Sequence, residues 1–182
     1  MRPEWIMKDN KGNVCKGGGE GWGWAYICFN SPYRDYAKAQ LKEVLEQYQQ
    51  DIDGVFLDML VYEENKPCCY CENCKRLFRQ KTGKDLPLQP VWDDTWREFL
   101  EFRYETTENY AREMINYVKS IVPDMSVIFN YHGTPASSWP IGQRPIQHTY
   151  FNDYGSGEAY PDFWGVVYPS LAARFIRGSN HG

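Results

Sequence analysis

Cys69-Tyr70-Cys71-Glu72-Asn73-Cys74, preceded directly by Cys68, is the stretch on which the reading of this 182-residue chain turns. Its C-x-C-x2-C spacing lets three thiols reach one soft metal ion. Zinc takes four ligands in a closed tetrahedral shell, so a fourth donor has to come from elsewhere in the fold. The best one is Cys28, in Cys28-Phe29-Asn30-Ser31-Pro32-Tyr33-Arg34. Cys68 is the alternative, although adjacent cysteines seldom both reach one ion without strain, and Cys15 is expected to be a bystander. Four thiolates leave no open coordination position, so the expected Zn2+ is structural. Four of the six cysteines crowd into seven positions. That favours a metal over separate disulfides and points to a reducing, cytoplasmic setting.

Working outward, Ser31-Pro32 has the form of a helix start, with Ser as N-cap and Pro in the first turn. Ala37, Leu41, Val44, Leu45 and Tyr48 then recur at helical spacing. Val55-Phe56-Leu57 is a short apolar run that reads as a buried parallel strand, with Asp58 at its C-terminal tip. After the cysteines, a short helix through Lys75-Arg76-Leu77-Phe78 stops near Gly83. A long helix is expected from about Asp94 to Val122, ended by Pro123. Val127-Ile128-Phe129 is the next strand and leads into Asn130-Tyr131-His132. Asp153 to Glu158 approaches or forms a third strand, and a last helix runs from about Ser170 to Arg177.

Residues 1–27, with Gly17-Gly18-Gly19 and Gly21-Trp22-Gly23-Trp24, read as a long aromatic-rich loop, and residues 28–182 as βα units of a single domain. This order is α/β with parallel strands. Strands that end in polar residues suit the active face of a (β/α)8 TIM barrel, but such barrels need roughly 250 residues. The expected fold class is therefore a partial barrel with a zinc-binding loop.

The pairing of Cys28-Phe29-Asn30-Ser31-Pro32-Tyr33-Arg34 with the later C-x-C-x2-C resembles the zinc site of family 42 glycoside hydrolases, the β-galactosidase barrels. The chain also looks like the hypothetical glycosyl hydrolase 6 and α-L-fucosidase-like barrels. Arg2-Pro3-Glu4-Trp5 with Asp9-Asn10-Lys11-Gly12-Asn13 is similar to the loop after the third strand of these enzymes. The resemblance spans nearly the whole chain and implies a central slice of barrel, approximately strands four to six. It departs from family 42 at Asp58-Met59-Leu60, where that family carries Asp-Asn-Glu with the glutamate as acid/base. Asp58 at the end of strand four is better matched by the fucosidase-like relatives.

Glycoside hydrolysis generally needs two carboxyl groups flanking the scissile bond. Asp58 is the candidate nucleophile and Glu158 the candidate general acid/base, with Asp153 competing for the second role. An Asp ending a buried strand is costly to bury without a use. Asn130 and His132 are candidate sugar hydrogen-bonders, and Tyr160 and Trp164, with Trp139, are candidate stacking platforms. His148 carries little signal, and Glu63 and Glu64 read as solvated. The expected activity is retaining hydrolysis of a terminal α-L-fucoside or galactoside. The alternative is a catalytically silent, zinc-stabilised carbohydrate-binding or structural fragment of a split barrel.

Composition agrees with a carbohydrate partner: aromatic residues make up 16%, with seven Trp and fourteen Tyr. The net charge of −4 has no basic block, which argues against nucleic acid, and no apolar run approaches a membrane-spanning length. The N-terminus lacks a charged-then-apolar signal pattern. An open slice exposes sheet edges and apolar helix faces. A second copy or a complementary barrel fragment is thus an expected partner, and the slice alone is expected to be inactive.

Overall fold

Two short parallel strands set the frame: β3 (Gly54–Leu57) pairs with β4 (Ser126–Phe129), with Val55 opposite Val127 and Leu57 opposite Phe129. The computed structural model describes residues 2–18, 23–132, 138–144 and 152–179. Upstream lie a 3-10 turn at Pro3–Trp5 and a small antiparallel pair, β1 (Lys16–Gly17) with β2 (Trp24–Ala25). The helices are α1 (Tyr33–Tyr48), α2 (Glu72–Thr82), α3 (Asp94–Ile121), the short α4 (Ser138–Ile141) and α5 (Pro161–Trp164), and α6 (Tyr168–Ser179).

The sequence explains the long elements. Asp93 Oδ1 accepts the Trp96 N–H at 2.8 Å, which caps α3. Trp96, Phe99, Phe102, Tyr110, Met114 and Val118 then lie buried along it, and Pro123 denies it a further turn. α1 packs on α3 through Leu41 and Leu45. A buried leucine such as Leu45 contributes about 2–5 kcal/mol against alanine. Gly83, at φ +73°, takes the left-handed position that ends α2. Ser31 Oγ accepts the Tyr33 N–H at 3.3 Å and donates to the Cys28 carbonyl at 2.6 Å. The serine thus braces the first turn of α1 from one residue before its cap position.

Two expectations change. Residues 1–27 are not structureless: besides β1 and β2, Ile6 bridges Ile27 and Lys8 bridges Val14, and Met7 and Cys15 are fully buried. The pairing was invisible because its strands are two residues long and carry no alternating pattern. The segment from Asp153 to Glu158 is not a strand. It runs beside β4, with the Asp153 N–H on the Val127 carbonyl at 3.2 Å and the Glu158 N–H on the Tyr131 carbonyl at 3.2 Å. Between these points side chains replace the ladder: Asn152 Oδ1 accepts the Phe129 N–H, Asn152 Nδ2 donates to the Phe129 carbonyl, and Asp153 Oδ2 accepts the Val127 N–H.

β3 pairs only with β4 among the described residues, and Phe56 on it is 58% exposed. An apolar cavity of about 500 Å³ runs beside it, walled by Leu57, Tyr33, Leu41 and Met114. No helix among the described residues is long and apolar enough to cross a membrane.

Candidate functional site

The thiol cluster forms as the spacing requires. The Sγ atoms of Cys28, Cys69, Cys71 and Cys74 all lie within 4.8 Å of one another, and all four residues are buried. Cys28 Sγ is 3.4 Å from Cys71 Sγ and 3.5 Å from Cys74 Sγ. A tetrahedron with metal–sulfur bonds of about 2.3 Å has edges of about 3.8 Å, so the four donors fit a zinc-sized ion with small adjustments. Cys68 is not one of the four. It contacts Cys15, so Cys15 and Cys68 make a separate buried thiol pair beside the cluster.

Crowding sets the protons of these thiols against one another. Hydrogen bonds from Cys28, Cys69 and Cys74 push the Cys71 thiol far down. Cys28 is pushed well up by Cys69 and Cys71, and Cys74 by Cys28, Cys69 and Cys71. A soft cation relieves this competition by replacing protons on every sulfur. Asn30 Nδ2 donates to Cys74 Sγ at 3.5 Å and to Thr106 Oγ1 at 3.2 Å, tying the cluster to α3. Arg103 is a buried cation on α3 that stacks on Tyr62 at 4.4 Å and is held by the Trp139 and Pro140 carbonyls. Among the described residues no carboxylate lies within ion-pair distance of it. Its charge also favours the Cys68 thiolate, after the larger effects of the Cys15 contact and burial.

The carboxylates meet at the tips of β3 and β4. Asn130 Nδ2 donates to Asp58 Oδ1 at 2.8 Å and to Glu158 Oε1 at 2.6 Å. Two bonds to one nitrogen hold those oxygens within about 5.4 Å of each other. Glu158 Oε2 lies 2.7 Å from His132 Nδ1. The negative Glu158 carboxylate pushes the Tyr160 phenol up, helped by some desolvation, a hydrogen bond between the two and the charge of Asp58. Asp58, Asn130, Glu158 and Tyr160 share the wall of an open cavity of about 790 Å³ with Ala172 and Ile176 of α6.

Asp58 is exposed, not buried, so the cost-of-burial argument for it does not hold. What singles it out is the turn that follows. Met59 adopts φ +57°, a left-handed conformation that costs a non-glycine residue about 1–3 kcal/mol, and its N–H bonds Asp58 Oδ1 at 2.8 Å. Asp153 is turned onto the β4 backbone and Lys119, at 2.9 Å, which leaves Glu158 as the partner of Asp58. Asn130 commits both amide hydrogens to the carboxylates, and His132 faces Glu158. Trp139 packs against Trp92 and Trp96 at ring-centroid distances of 5.5 and 6.5 Å, a core role. Trp164 ends α5, but its side chain lies outside the described residues, as does His148.

Two residues of this region gave no signal in the sequence. Gln143 is 1% exposed; its Nε2 donates to the Leu60 and Asn130 carbonyls at 3.0 and 3.1 Å, and its Oε1 accepts the His132 N–H at 2.9 Å. One side chain thereby pins the chain just beyond β3 to the chain just beyond β4. Glu63, read as solvated, is 4% exposed; Oε1 accepts the Asn65 N–H at 2.8 Å and Oε2 is buried.

Residues 1–59 match the family described as hypothetical glycosyl hydrolase 6. No curated protein matches the chain. Among solved structures, a β-galactosidase from Bacillus circulans sp. alkalophilus superposes with a TM-score of 0.71 at 20% identity, over 97% of this chain and 30% of that one. An α-L-fucosidase, isoenzyme 2 from Paenibacillus thiaminolyticus, aligns with a TM-score of 0.50 at 27% identity, over 70% of this chain and 17% of that one. The glycoside hydrolase domain of PgaB (BpsB) from Bordetella bronchiseptica gives 0.70 at 12% identity, over 96% and 50%. The chain spans under a third of the length of that β-galactosidase. It has the fold of part of a glycoside hydrolase, with a family match that ends just past Asp58.

Proposed function

We propose that this chain carries the catalytic carboxylates of a retaining glycosidase, with Asp58 as nucleophile and Glu158 as general acid/base. The observation that supports this reading is the Asn130 bridge, which keeps the two carboxylate oxygens within about 5.4 Å. Retaining enzymes place their carboxyl groups about 5–5.5 Å apart, whereas inverting enzymes leave about 6.5–9.5 Å for a water. Asn130 and the Met59 N–H hold Oδ1 of Asp58, so Oδ2 is assigned the attack on the anomeric carbon. Glu158 protonates the departing oxygen, then takes a proton from the water that cleaves the glycosyl-enzyme. His132 Nδ1, 2.7 Å from Oε2, fixes the orientation of the Glu158 carboxyl.

The substrate is proposed to be a terminal α-L-fucoside or galactoside, in keeping with the fucosidase and β-galactosidases among the structural relatives. Cys28, Cys69, Cys71 and Cys74 would hold Zn2+, which supplies a rigid cross-link and no open coordination site. A reducing cytoplasm that keeps these thiols available belongs to the same reading. Assaying nitrophenyl glycosides with the full-length protein and its Asp58→Gly variant tests it. Turnover should disappear in the variant, and azide should return a glycosyl azide of inverted anomeric configuration. A variant that still hydrolyses at a comparable rate rules Asp58 out.

The edge of β3 that is unpaired among the described residues favours a second reading, in which this is a silent fragment completed by another barrel piece or a second copy. Size-exclusion chromatography separates the two: a monomer that hydrolyses glycosides excludes the silent fragment.

A further inference from the structure

A second cavity, of about 300 Å³, is lined by His132, whose Nδ1 lies 2.7 Å from Glu158 Oε2. Its walls are Trp24 and Tyr26 from the β2 region, Lys16 from β1, and Glu63, Glu64 and Asn65 from the loop that leads to the cysteines. The two rings meet edge to face, with centroids 6.3 Å apart. A Cβ on Gly17 would come within 2.8 Å of the indole, so glycine at that position lets the Trp24 ring lie directly on β1. Trp24 remains 40% exposed and lines this cavity.

Glu63 supplies the second observation. It is 96% buried, Oε1 is committed to the Asn65 N–H, and Oε2 has no hydrogen-bond donor among the described residues. A buried carboxylate oxygen without a donor is costly.

We propose that this cavity is a binding subsite for the sugar unit next to the bond being cleaved. The unit's apolar face stacks on Trp24 and one of its hydroxyls donates to Glu63 Oε2. The proposal rests on the glycosidase reading and narrows it, because a substrate that fills both cavities is a di- or oligosaccharide and not a simple glycoside. His132, which lines this cavity and also faces Glu158, marks the boundary between the two sugar units.

The test is binding without turnover. Full-length protein carrying Asp58→Asn is screened against an array of L-fucose- and D-galactose-terminated di- and trisaccharides, and the best binder is titrated by calorimetry. Adding Glu63→Gln, which keeps the shape of the side chain, should weaken binding about tenfold to a hundredfold, the worth of a hydrogen bond to a charged group. Trp24→Ala, on an exposed ring, should weaken it about tenfold and decides the matter if the Glu63 variant fails to fold. No binding to any member of the array, or affinities unchanged by both substitutions, overturns the subsite. Hydrolysis by the unsubstituted protein alongside such a negative result leaves the catalytic reading standing. Binding that depends on Glu63 without hydrolysis sinks the catalytic reading alone.

Discussion

Just beyond β3 the chain builds two polar clusters, and they are finished in opposite ways. The thiols of Cys28, Cys69, Cys71 and Cys74 are buried and converge on one point, with every donor already facing the others. The carboxylates of Asp58 and Glu158 are held side by side by one amide on the wall of an open cavity. The first arrangement has room for an ion and nothing more; the second has room for a substrate. An ion held there would cross-link the start of α1 to the start of α2. Openness, with geometry still fixed, is what a reacting pair requires.

If the thiol cluster is the cross-link, removing its metal should have the largest effect. Binding free energies of structural zinc sites are of order 10 kcal/mol, comparable with the whole stability of a domain. Chelation, or Cys71→Ser, should therefore release one equivalent of zinc and abolish cooperative unfolding by circular dichroism. A Cys28→Ser protein that keeps a full equivalent of metal would remove Cys28 from the set. At the open cluster, Glu158→Gln should lower turnover about 10²–10⁴-fold, the usual contribution of a general acid/base. The loss should be smallest for nitrophenolate, a leaving group that needs little protonation. A uniform loss across leaving groups would make Glu158 structural.

Asn130→Leu sharpens the contrast, because it frees both carboxylates without touching either. Turnover should fall about tenfold to a hundredfold, in line with the loss of hydrogen bonds to charged acceptors, while KM changes little. An effect confined to KM would return Asn130 to the role of sugar-binder. Gln143→Met should destabilise the fold by about 1–3 kcal/mol for each peptide group left unpaired, seen as a lower denaturant midpoint.

The smallest effect belongs to a site outside both clusters. Burial alone would raise the Glu113 carboxyl, but Lys38 and Arg34 outweigh it and hold its pKa below 4.5. Its stabilisation is thus complete above that value and is lost as pH falls through the depressed one. Glu113→Gln should flatten the acid limb of the stability profile by no more than about 1 kcal/mol. An unchanged limb would show the ion pairs to be idle.

What could be read in the sequence was local. The extent of α3 with its Pro-terminated end, the two apolar strands and the cysteine spacing each sit within a few residues of chain. Asp58 and Glu158 were legible as polar residues where strands or strand-like segments end. Gln143 was not, because its importance lies in three peptide groups up to 83 positions away. Nor was Glu63, whose neighbour Glu64 is exposed and whose own burial follows from the loop path and not from its type. The bridges among residues 1–27 escaped for the same reason: pairing only two residues at a time leaves no period to detect.

The attachment of residues 152–158 to β4 has a consequence for how such a protein can vary. A true strand is locked at every second residue, so lengthening it by one shifts the whole ladder. Here the anchors are side chains, Asn152 and Asp153 and then the Ser156 hydroxyl on the Phe129 carbonyl at 3.3 Å, and the next backbone tie comes at Glu158, on the Tyr131 carbonyl just past β4. The stretch between them is a tether whose length decides which side chain arrives opposite Asp58. One inserted or deleted residue there would exchange Glu158 for a neighbour while Asn152 and Asp153 stayed in place. The chemistry of the cavity can thus be rewritten by a change of length alone, with the sheet left as it was.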